Sequence, residues 1–576
     1  MIKEIFQKGV TFCNLNINPP FVIASGTVAS CSDTILRLAN SGKIGAITSK
    51  SISLNPIQGN HEPILAQEVP NSFTNAVGLA NPGADVFSKE LSEIYPLPNN
   101  VKLIVSVFGK NKEEFVKISK IMSKYADALE LNLSCPHVEK GGAIIGRCEK
   151  LTEEITRAVK QIVDIPIIIK LTPTSEKIEK IAKAAERGGA DAICAINTDG
   201  PGLILDNWGN PILSNKFGGI SGEYIKPKGL SCINKISKVT NLPLIVMGGI
   251  SVSKDIKDYY LAANKNNSIL FGLGSSLAKS TEELFNFLDD LRKDILFETN
   301  NSETYRQKKA TLRYSSYNIT KIKKLCDDLK IFYFDKALKC SPGQFVFAYI
   351  PNKGEKPFSV ADDNPLTLVV RKTGECREDK SQCFTSSLFN LKEGNSIGIR
   401  GPYGTKILDT GDKLLICGGT GAAPILFLAK NSKSSKIFMG SKCENQIIFE
   451  KEFSNLGELT ISTEDGSKGD VGYITESLKT YLSKNEINSN IKAYICGPEK
   501  MCKSSVNILS KYLSLENIFI SIERHMKCGI GLCGSCAIDG YRSCVDGPFF
   551  NAKSFFNSNS FGKYTRNKCG EKVNIF

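Results

Sequence analysis

Four cysteines near the C-terminus carry the most specific chemical signal in the chain: Cys528-x₄-Cys533-x₂-Cys536-x₇-Cys544. The first three have the spacing of thiolates that hold plant-type [2Fe–2S] clusters. Gly529, Gly531, Gly534 and Ser535 fill the gaps. So little side-chain bulk lets backbone N–H groups approach cluster sulfurs and tune the potential. A structural zinc site is the competing explanation, although zinc favours paired C-x₂₋₄-C knuckles. Many plant-type clusters take their fourth ligand from much farther along, so Cys544 is a candidate rather than a certainty. A [2Fe–2S] cluster passes single electrons, and flavins convert between one- and two-electron chemistry, so a flavin site is expected elsewhere in the chain.

A second candidate is Cys135, in Asn132-Leu133-Ser134-Cys135-Pro136, directly after the strand-like run Ala128–Leu133. A free thiol has a pKa of about 8.5 and takes a proton once its surroundings favour thiolate. The plainer explanation is a buried structural cysteine. A third signal is Gly418-Gly419-Thr420-Gly421-Ala422-Ala423-Pro424, with Cys496-Gly497-Pro498 farther on. A glycine-rich turn between strand and helix lets backbone amides meet a pyrophosphate, but many such turns bind nothing.

These residues need elements to position them. Residues 1–297 alternate apolar runs with helical patterns such as Ser175–Arg187. The runs are Ile44–Ser49, Leu103–Val107, Ala128–Leu133, Ile165–Leu171, Ala192–Ile196, Leu244–Met247 and Ile269–Phe271. That alternation predicts an α/β fold, a TIM (β/α)₈ barrel, with a doubly wound sheet as runner-up. The barrel is preferred because polar, reactive residues recur where strands end. A polar segment, 298–309, reads as a linker. Short Val/Ile/Phe/Thr-rich runs with Gly/Pro turns over 310–408 predict a small β-barrel. Strand–helix alternation returns over 409–515, a Cys/Gly-rich module spans 516–552, and the tail 553–576 has no assignable role.

In this order, Lys356-Pro357-Phe358-Ser359, Gly401-Pro402-Tyr403-Gly404, the Gly418 turn and Cys496-Gly497-Pro498 resemble the ferredoxin–NADP⁺ reductase superfamily. With the cysteine module appended, 310–550 resembles the FAD/[2Fe–2S] electron-transfer subunit of class 1B dihydroorotate dehydrogenases. Residues 1–300 are similar to the catalytic subunit of the same family. The matching stretches are Thr48–Ser51, Asn75–Gly83, Glu130–Pro136, Ile169–Pro173, Ile196–Thr198, Gly219–Gly222 and Met247–Ile250. The resemblance implies oxidation of dihydroorotate to orotate, in pyrimidine (UMP) synthesis, with electrons passing through FMN, [2Fe–2S] and FAD to NAD⁺. It assigns Cys135 as general base, with Lys50 and Lys170 beside flavin and substrate. It gives the substrate Lys50, Asn75, Ala76, Val77, Gly78, Leu79, Asn132, Asn197 and Thr198. It gives FMN Ser25, Gly26, Lys50, Ser51, Ser106, Asn132, Lys170, Ile196, Gly222, Gly248, Gly249, Gly274 and Ser275. FAD would take Lys356, Pro357, Phe358, Ser359, Val369, Val370, Arg371, Thr385 and Ser386. NAD⁺ would take Gly418, Gly419, Thr420, Gly421, Cys496 and Gly497, and the cluster Cys528, Cys533, Cys536 and Cys544.

The chain departs from the family at three positions. Lys356 stands where Arg is usual, a point charge in place of a bidentate fork. Ser106 stands where Asn often meets flavin, and His137 where Asn is commoner. A dihydropyrimidine dehydrogenase-like reductase is the alternative, but its usual [4Fe–4S] cysteine runs are missing from the sequence. His61, His137, His525 and Trp208 are read as structural, and Cys13, Cys31, Cys148 and Cys417 as fillers.

The formal net charge of +14 comes from scattered lysines, so nucleic acid is not expected. Leu414–Ala429 is broken by glycines and a proline, the N-terminus lacks a long apolar core, and 19 cysteines in so long a chain suit a reducing compartment. A cytoplasmic homo-oligomer, dimeric through the barrel, with no membrane partner, is the expectation.

Overall fold

The computed structural model describes residues 2–133, 145–173, 177–264, 268–309, 311–372, 384–558 and 560–575. Cys135 and His137 lie outside the described residues.

Eight parallel strands close the first barrel: Phe21–Ile23, Ala46–Thr48, Lys102–Val107, Ala128–Asn132, Ile167–Leu171, Ala192–Ala195, Leu244–Met247 and Ile269–Leu273. The barrel, not the doubly wound sheet, is the architecture. Helices cover parallel strands from outside, so these strands read as continuous apolar runs. All five residues of Ile167–Leu171 are buried, Lys170 included. Seven strands coincide with runs visible in the sequence, whereas Phe21–Ile23 is only three residues long and gives no signal. The expected helix appears as Ile178–Arg187 and buries Ile178, Ile181, Ala182 and Ala185, one face of a 3.6-residue period.

A four-stranded antiparallel sheet, in the order Asp199–Leu203, Phe217–Gly222, Ser72–Asn75, Leu65–Ala66, was not expected. Its first strand reads Asp-Gly-Pro-Gly-Leu, and glycine and proline mask a strand signal.

A second closed barrel, all antiparallel, is built from Ser315–Cys326, Leu329–Phe334, Leu366–Arg371, Gly354–Asp363, Phe345–Ile350 and Ser396–Tyr403. A seven-stranded sheet follows, with the parallel core Glu458–Thr463, Ser435–Ser441, Lys413–Gly418, Lys492–Cys496 and Ile518–Ser521. Phe549–Asn551 adds to its edge in the antiparallel sense. The cysteine module leaves this sheet from the penultimate strand, Ile518–Ser521, and returns as its edge strand, Phe549–Asn551. Among the described residues no helix is long and apolar enough to cross a membrane.

The segment 298–309 joins the two barrels but is pinned to the first. Asp294, in the last turn of the helix Thr281–Phe297, accepts hydrogen bonds from the Asn301 and Ser302 backbone N–H groups, both at 2.8 Å, and from Ser302 Oγ at 2.6 Å. Tyr305 packs edge-on against Phe287, with centroids 5.5 Å apart. Burial would raise the Asp294 carboxyl, but the hydrogen bonds from Ser302 and Thr299 outweigh it and hold the pKa below the ordinary range. Asp294→Ala should therefore destabilise the protein by about 2 kcal/mol at neutral pH. A depressed carboxyl contributes fully above its unfolded pKa of about 3.9 and loses that contribution as pH falls through its folded value. Calorimetric unfolding midpoints of wild type and variant should converge through that acid range.

Candidate functional site

The C-terminal ends of the first barrel's strands open on a cavity of about 240 Å³. Nearly every strand end contributes. Ser25 and Gly26 follow the first strand and Lys50 and Ser51 the second; Asn132 ends the fourth, and Lys170 lies near the end of the fifth. Ile196, Asn197 and Thr198 follow the sixth, Gly248 and Gly249 the seventh, and Gly274 and Ser275 the eighth. The antiparallel sheet and its loop add Asn75, Ala76, Val77, Gly78, Leu79 and Gly222. Gly222 has φ 93°, and a Cβ there would collide with the Asn71 carbonyl oxygen. Such a position is open to glycine alone.

A buried polar chain fixes this wall. Ser51 Oγ lies 3.2 Å from Ser25 Oγ and 2.9 Å from Ser106 Oγ, and it accepts from Asn132 Nδ2 at 3.0 Å. Ser106 is fully buried and stands behind the lining rather than in it, donating to Glu130 Oε1 at 2.9 Å. Lys170 Nζ reaches the same oxygen at 3.5 Å. Burial disfavours the Lys170 charge, but the Glu130 carboxylate more than compensates and holds its pKa above the ordinary value. Lys50 has no such partner among the described residues, and burial pushes its pKa down to about 8. Asn197 Nδ2 donates to Asn132 Oδ1 at 3.3 Å, and Asn75 Nδ2 to the Gly219 carbonyl at 3.0 Å. Glu130 went unrecognised as a functional residue in the sequence. An acidic residue inside an apolar barrel strand is the signal that could have found it, because unpaired charges are not left buried.

The far wall comes from the cysteine module: Cys528, Leu532 and Cys533 line the same cavity. All four module thiols are buried, and none forms a disulfide. The thiols shift one another's acidity, Cys528 downward and Cys533 and Cys544 upward. The Gly531 N–H points at Cys544 Sγ from 3.3 Å. Among the described residues no three His, Cys, Asp or Glu side chains form a group that could hold a metal ion. Four neighbouring buried thiols with a backbone N–H on one sulfur nonetheless form a donor set of the kind that iron–sulfur clusters use.

A second cavity, about 1350 Å³, lies where the antiparallel barrel, the seven-stranded sheet and the cysteine module meet. Lys356, Pro357, Phe358, Ser359, Val369, Arg371 and Thr385 line it, as do Thr420, Gly421 and Cys496. Val370 turns the opposite way, into the barrel core, as strand alternation requires. Ser386, Gly419 and Gly497 are chain neighbours of lining residues, and neither they nor Gly418 border the cavity. Glu62, from the first barrel, reaches into this space. It accepts from Lys356 Nζ at 3.4 Å and lies 3.1 Å from His525 Nε2 and 3.9 Å from Lys527 Nζ. Burial alone would raise the Glu62 carboxyl, but His525, Lys356 and Lys527 together hold it far below the usual carboxylate range. Glu62 thus bridges the antiparallel barrel at Lys356 and the cysteine module at His525 and Lys527.

Arg400 was also missed. Its guanidinium is buried, forms a fork with Glu355 (Nε to Oε2 and Nη2 to Oε1, both 2.7 Å), and donates from Nη1 to the Cys528 carbonyl at 3.1 Å. It stacks 3.8 Å above the Phe347 ring. The residue directly precedes the Gly401-Pro402-Tyr403-Gly404 turn, but its partners are distant in sequence.

A barrel cavity that shares its wall with clustered thiols belongs to an oxidoreductase. Residues 8–278 match the dihydroorotate dehydrogenase family model, 415–507 the oxidoreductase NAD-binding domain, and 523–555 the iron–sulfur cluster binding domain of dihydroorotate dehydrogenase B. The chain is similar to proteins named dihydroorotate dehydrogenase B (NAD(+)), catalytic subunit. That of Methanothermobacter thermautotrophicus is 39% identical over 45% of this chain and 84% of its own length. That of Methanocaldococcus jannaschii is 37% identical over 48% and 92%, and that of Pyrococcus horikoshii 40% identical over 46% and 84%. The chain belongs to the dihydroorotate dehydrogenase family. Its catalytic-subunit part is fused, in one polypeptide, to NAD-binding and iron–sulfur-binding parts.

Glu130→Gln would leave Lys170 buried without its counter-charge. Breaking a buried pair in this way costs about 3–5 kcal/mol, so the variant holoprotein should show a clearly lowered unfolding midpoint. Lys170→Met combined with Glu130→Gln, which removes both charges, should recover much of that loss. A single variant as stable as wild type would show that the pair does not carry this charge balance.

Proposed function

We propose that the chain oxidises dihydroorotate to orotate and delivers the electrons to NAD⁺, in pyrimidine (UMP) synthesis. Overall, dihydroorotate and NAD⁺ give orotate, NADH and one proton. The carrying observation is that one cavity is bounded on one side by Lys50, Asn132 and Lys170 and on the other by Cys528 and Cys533.

When bound, FMN accepts a hydride, the [2Fe–2S] cluster passes single electrons and FAD returns a hydride to NAD⁺. Ser25, Gly26, Lys50, Ser51, Asn132, Lys170, Ile196 and Gly222 would hold FMN, with Ser106 acting through Ser51. Gly248, Gly249, Gly274 and Ser275, after the last two strands, suit its phosphate. Lys356–Ser359, Val369, Arg371 and Thr385 would hold FAD. The turns at 418–421 and 496–497 would hold NAD⁺, and Cys528, Cys533, Cys536 and Cys544 the cluster. The residues that border each cavity fit these groups: small residues at the phosphate end, and a cation beside each flavin position.

The substrate loses a C5 proton and a C6 hydride. In this proposal Cys135 takes the proton, and Asn75, Asn132, Asn197 and Thr198 pair with the ring's alternating N–H and C=O groups. The backbone of 76–79 closes over the substrate. Lys170 places a fixed positive charge, held by Glu130, where negative charge develops as the hydride is transferred. Lys50 adds a second cation facing flavin and substrate. Domains at 1–297, 310–408, 409–515 and 516–552, a cytoplasmic location and a dimer through the barrel complete the proposal.

Anaerobic addition of dihydroorotate to the purified protein should bleach two flavins and raise the electron-paramagnetic signal of one [2Fe–2S] cluster per chain. NAD⁺ should reverse both. Cys135→Ala should lower the rate of the first bleaching by about 10²–10⁴-fold and leave NADH reduction of the second flavin unchanged. Uracil reduction by NADH without dihydroorotate oxidation would overturn the reading.

A further inference from the structure

The segment beyond Phe555 brings Asn567, Lys568 and Cys569 to the wall of the second cavity and contacts three other parts of the chain. Phe561 packs against Phe555, which packs against Phe550, in the core below the seven-stranded sheet. Asp539, in the cysteine module, accepts hydrogen bonds from Ser558 and Ser560. Glu499, at the start of the helix Glu499–Leu509, accepts from the Gly562 N–H at 2.6 Å and is held by both terminal nitrogens of Arg524 at 2.9 and 3.1 Å.

A hairpin of Tyr564–Arg566 and Lys572–Asn574 then carries Arg566 to the first barrel. Arg566 Nη1 donates to Glu90 Oε1 at 2.7 Å, and Nη2 donates to Glu90 Oε2 and Asp33 Oδ2, both at 3.2 Å. The Arg566 and Glu90 side chains are each only 7% exposed, so this fork is desolvated and directional. Asp33 sits in the first turn of the helix Ser32–Asn40. The same helix grips the cysteine module directly, with the Arg37 guanidinium 3.6 Å above the Tyr541 ring. Just before it, Ser30 Oγ donates to the Gly534 carbonyl at 3.2 Å. Gly534 has φ 69°, and a Cβ there would collide with Ser30. The helix Ser32–Asn40 and the residues just before it therefore meet the cysteine module at Arg37 and Ser30 and the tail at Asp33.

We propose that the segment beyond Phe555 is a clasp that holds the cysteine loop on the barrel mouth of its own chain, with Arg566 as a positioning residue for electron transfer between the two cavities. Interfaces between domains of one chain are mobile by default. The barrel also grips the module through the half-buried Arg37–Tyr541 stack, the paired hydrogen bonds from Thr281 to Asp546 at 2.7 Å and the Glu62 carboxylate, and the Arg566 fork adds a buried charged contact from the tail. Releasing it would leave Glu90 without its counter-charge and held only by the Ser32 hydroxyl at 2.9 Å and backbone N–H at 3.4 Å, so the docked arrangement is preferred. The tail thereby keeps the relay within one polypeptide. The inference rests on the reading that the barrel cavity holds flavin and the thiols hold the cluster.

The test uses the full-length holoprotein with Arg566→Ala, Arg566→Lys and Asp33→Asn. In Arg566→Ala, amide hydrogen exchange over 29–37 and 528–545 should quicken at least tenfold. Stopped-flow reduction of the barrel flavin by dihydroorotate, and of the second flavin by NADH, should stay within twofold of wild type. Transfer from the barrel flavin to the second flavin should slow at least tenfold. Arg566→Lys should recover part of that rate, and Asp33→Asn, which leaves the Glu90 fork intact, should show a smaller loss. The clasp is overturned by unchanged exchange, by unchanged transfer, or by all three rates falling together with the unfolding midpoint, which would mark a purely structural role. Wild-type protein lacking flavin or cluster spectra would sink the functional reading instead, while the exchange result would still decide the clasp.

Discussion

Everything in this architecture depends on where one loop of the cysteine module is held. The loop around Cys528 must face the barrel cavity on one side and the second cavity on the other. Arg400 meets the constraint from the antiparallel barrel. Its charge is balanced by Glu355, which leaves a donor for the Cys528 carbonyl. A lone buried arginine would be prohibitively costly. The fork makes burial tolerable, and the stack on Phe347 fixes its plane. The first barrel holds the opposite side of the module through Ser30, Arg37 and Thr281, whose backbone N–H donates to Asp546 at 2.7 Å. The loop is clamped from both directions by groups whose own positions are set by rigid strands and helices.

The barrel supplies the second requirement, a polar mouth on an apolar body. Its strands are hydrophobic throughout and change character only at their C-terminal ends, where backbone hydrogen bonding stops and side chains are released into the cavity. The exception is the interior pair Glu130–Lys170. It is buried within the barrel wall, and its polar chain runs through Ser106 and Ser51 to Asn132 and Ser25. A buried network of this kind, which engages Glu130 through Oε1, holds side chains in place before any ligand arrives. Glu62 does comparable work at the second cavity, where one carboxylate meets Lys356, Lys527 and the His525 imidazole from two other parts of the chain.

Much of this was legible without coordinates, because the signals are local. Strand periodicity, the C-x₄-C-x₂-C spacing and the glycine-rich turn are short-range patterns that backbone geometry translates directly into structure. The first strand, Phe21–Ile23, escaped because three residues between Pro19-Pro20 and Ser25-Gly26 carry too little pattern, whereas the equally short Ala46–Thr48 lies inside a longer apolar run. The antiparallel sheet escaped because its glycines and proline, there for close packing at the mouth, look like turns. Val370 was grouped with its neighbours because a motif runs along the chain, while strand geometry sends alternate side chains to opposite faces.

The sequence alone determined which domain types the chain contains, their order, and the residue types available for chemistry, since each of these is written in contiguous stretches. Only the tertiary structure decided the charge partners: Glu130 for Lys170, Glu355 for Arg400, Glu62 for Lys356 and His525, and Glu90 for Arg566. Likewise, only the fold brought Cys528 and Cys533 to the wall of the barrel cavity in the same chain. The physical reason is that a buried charge selects its partner by proximity and desolvation, and neither leaves a trace in local spacing when the partners lie as far apart in sequence as residues 90 and 566.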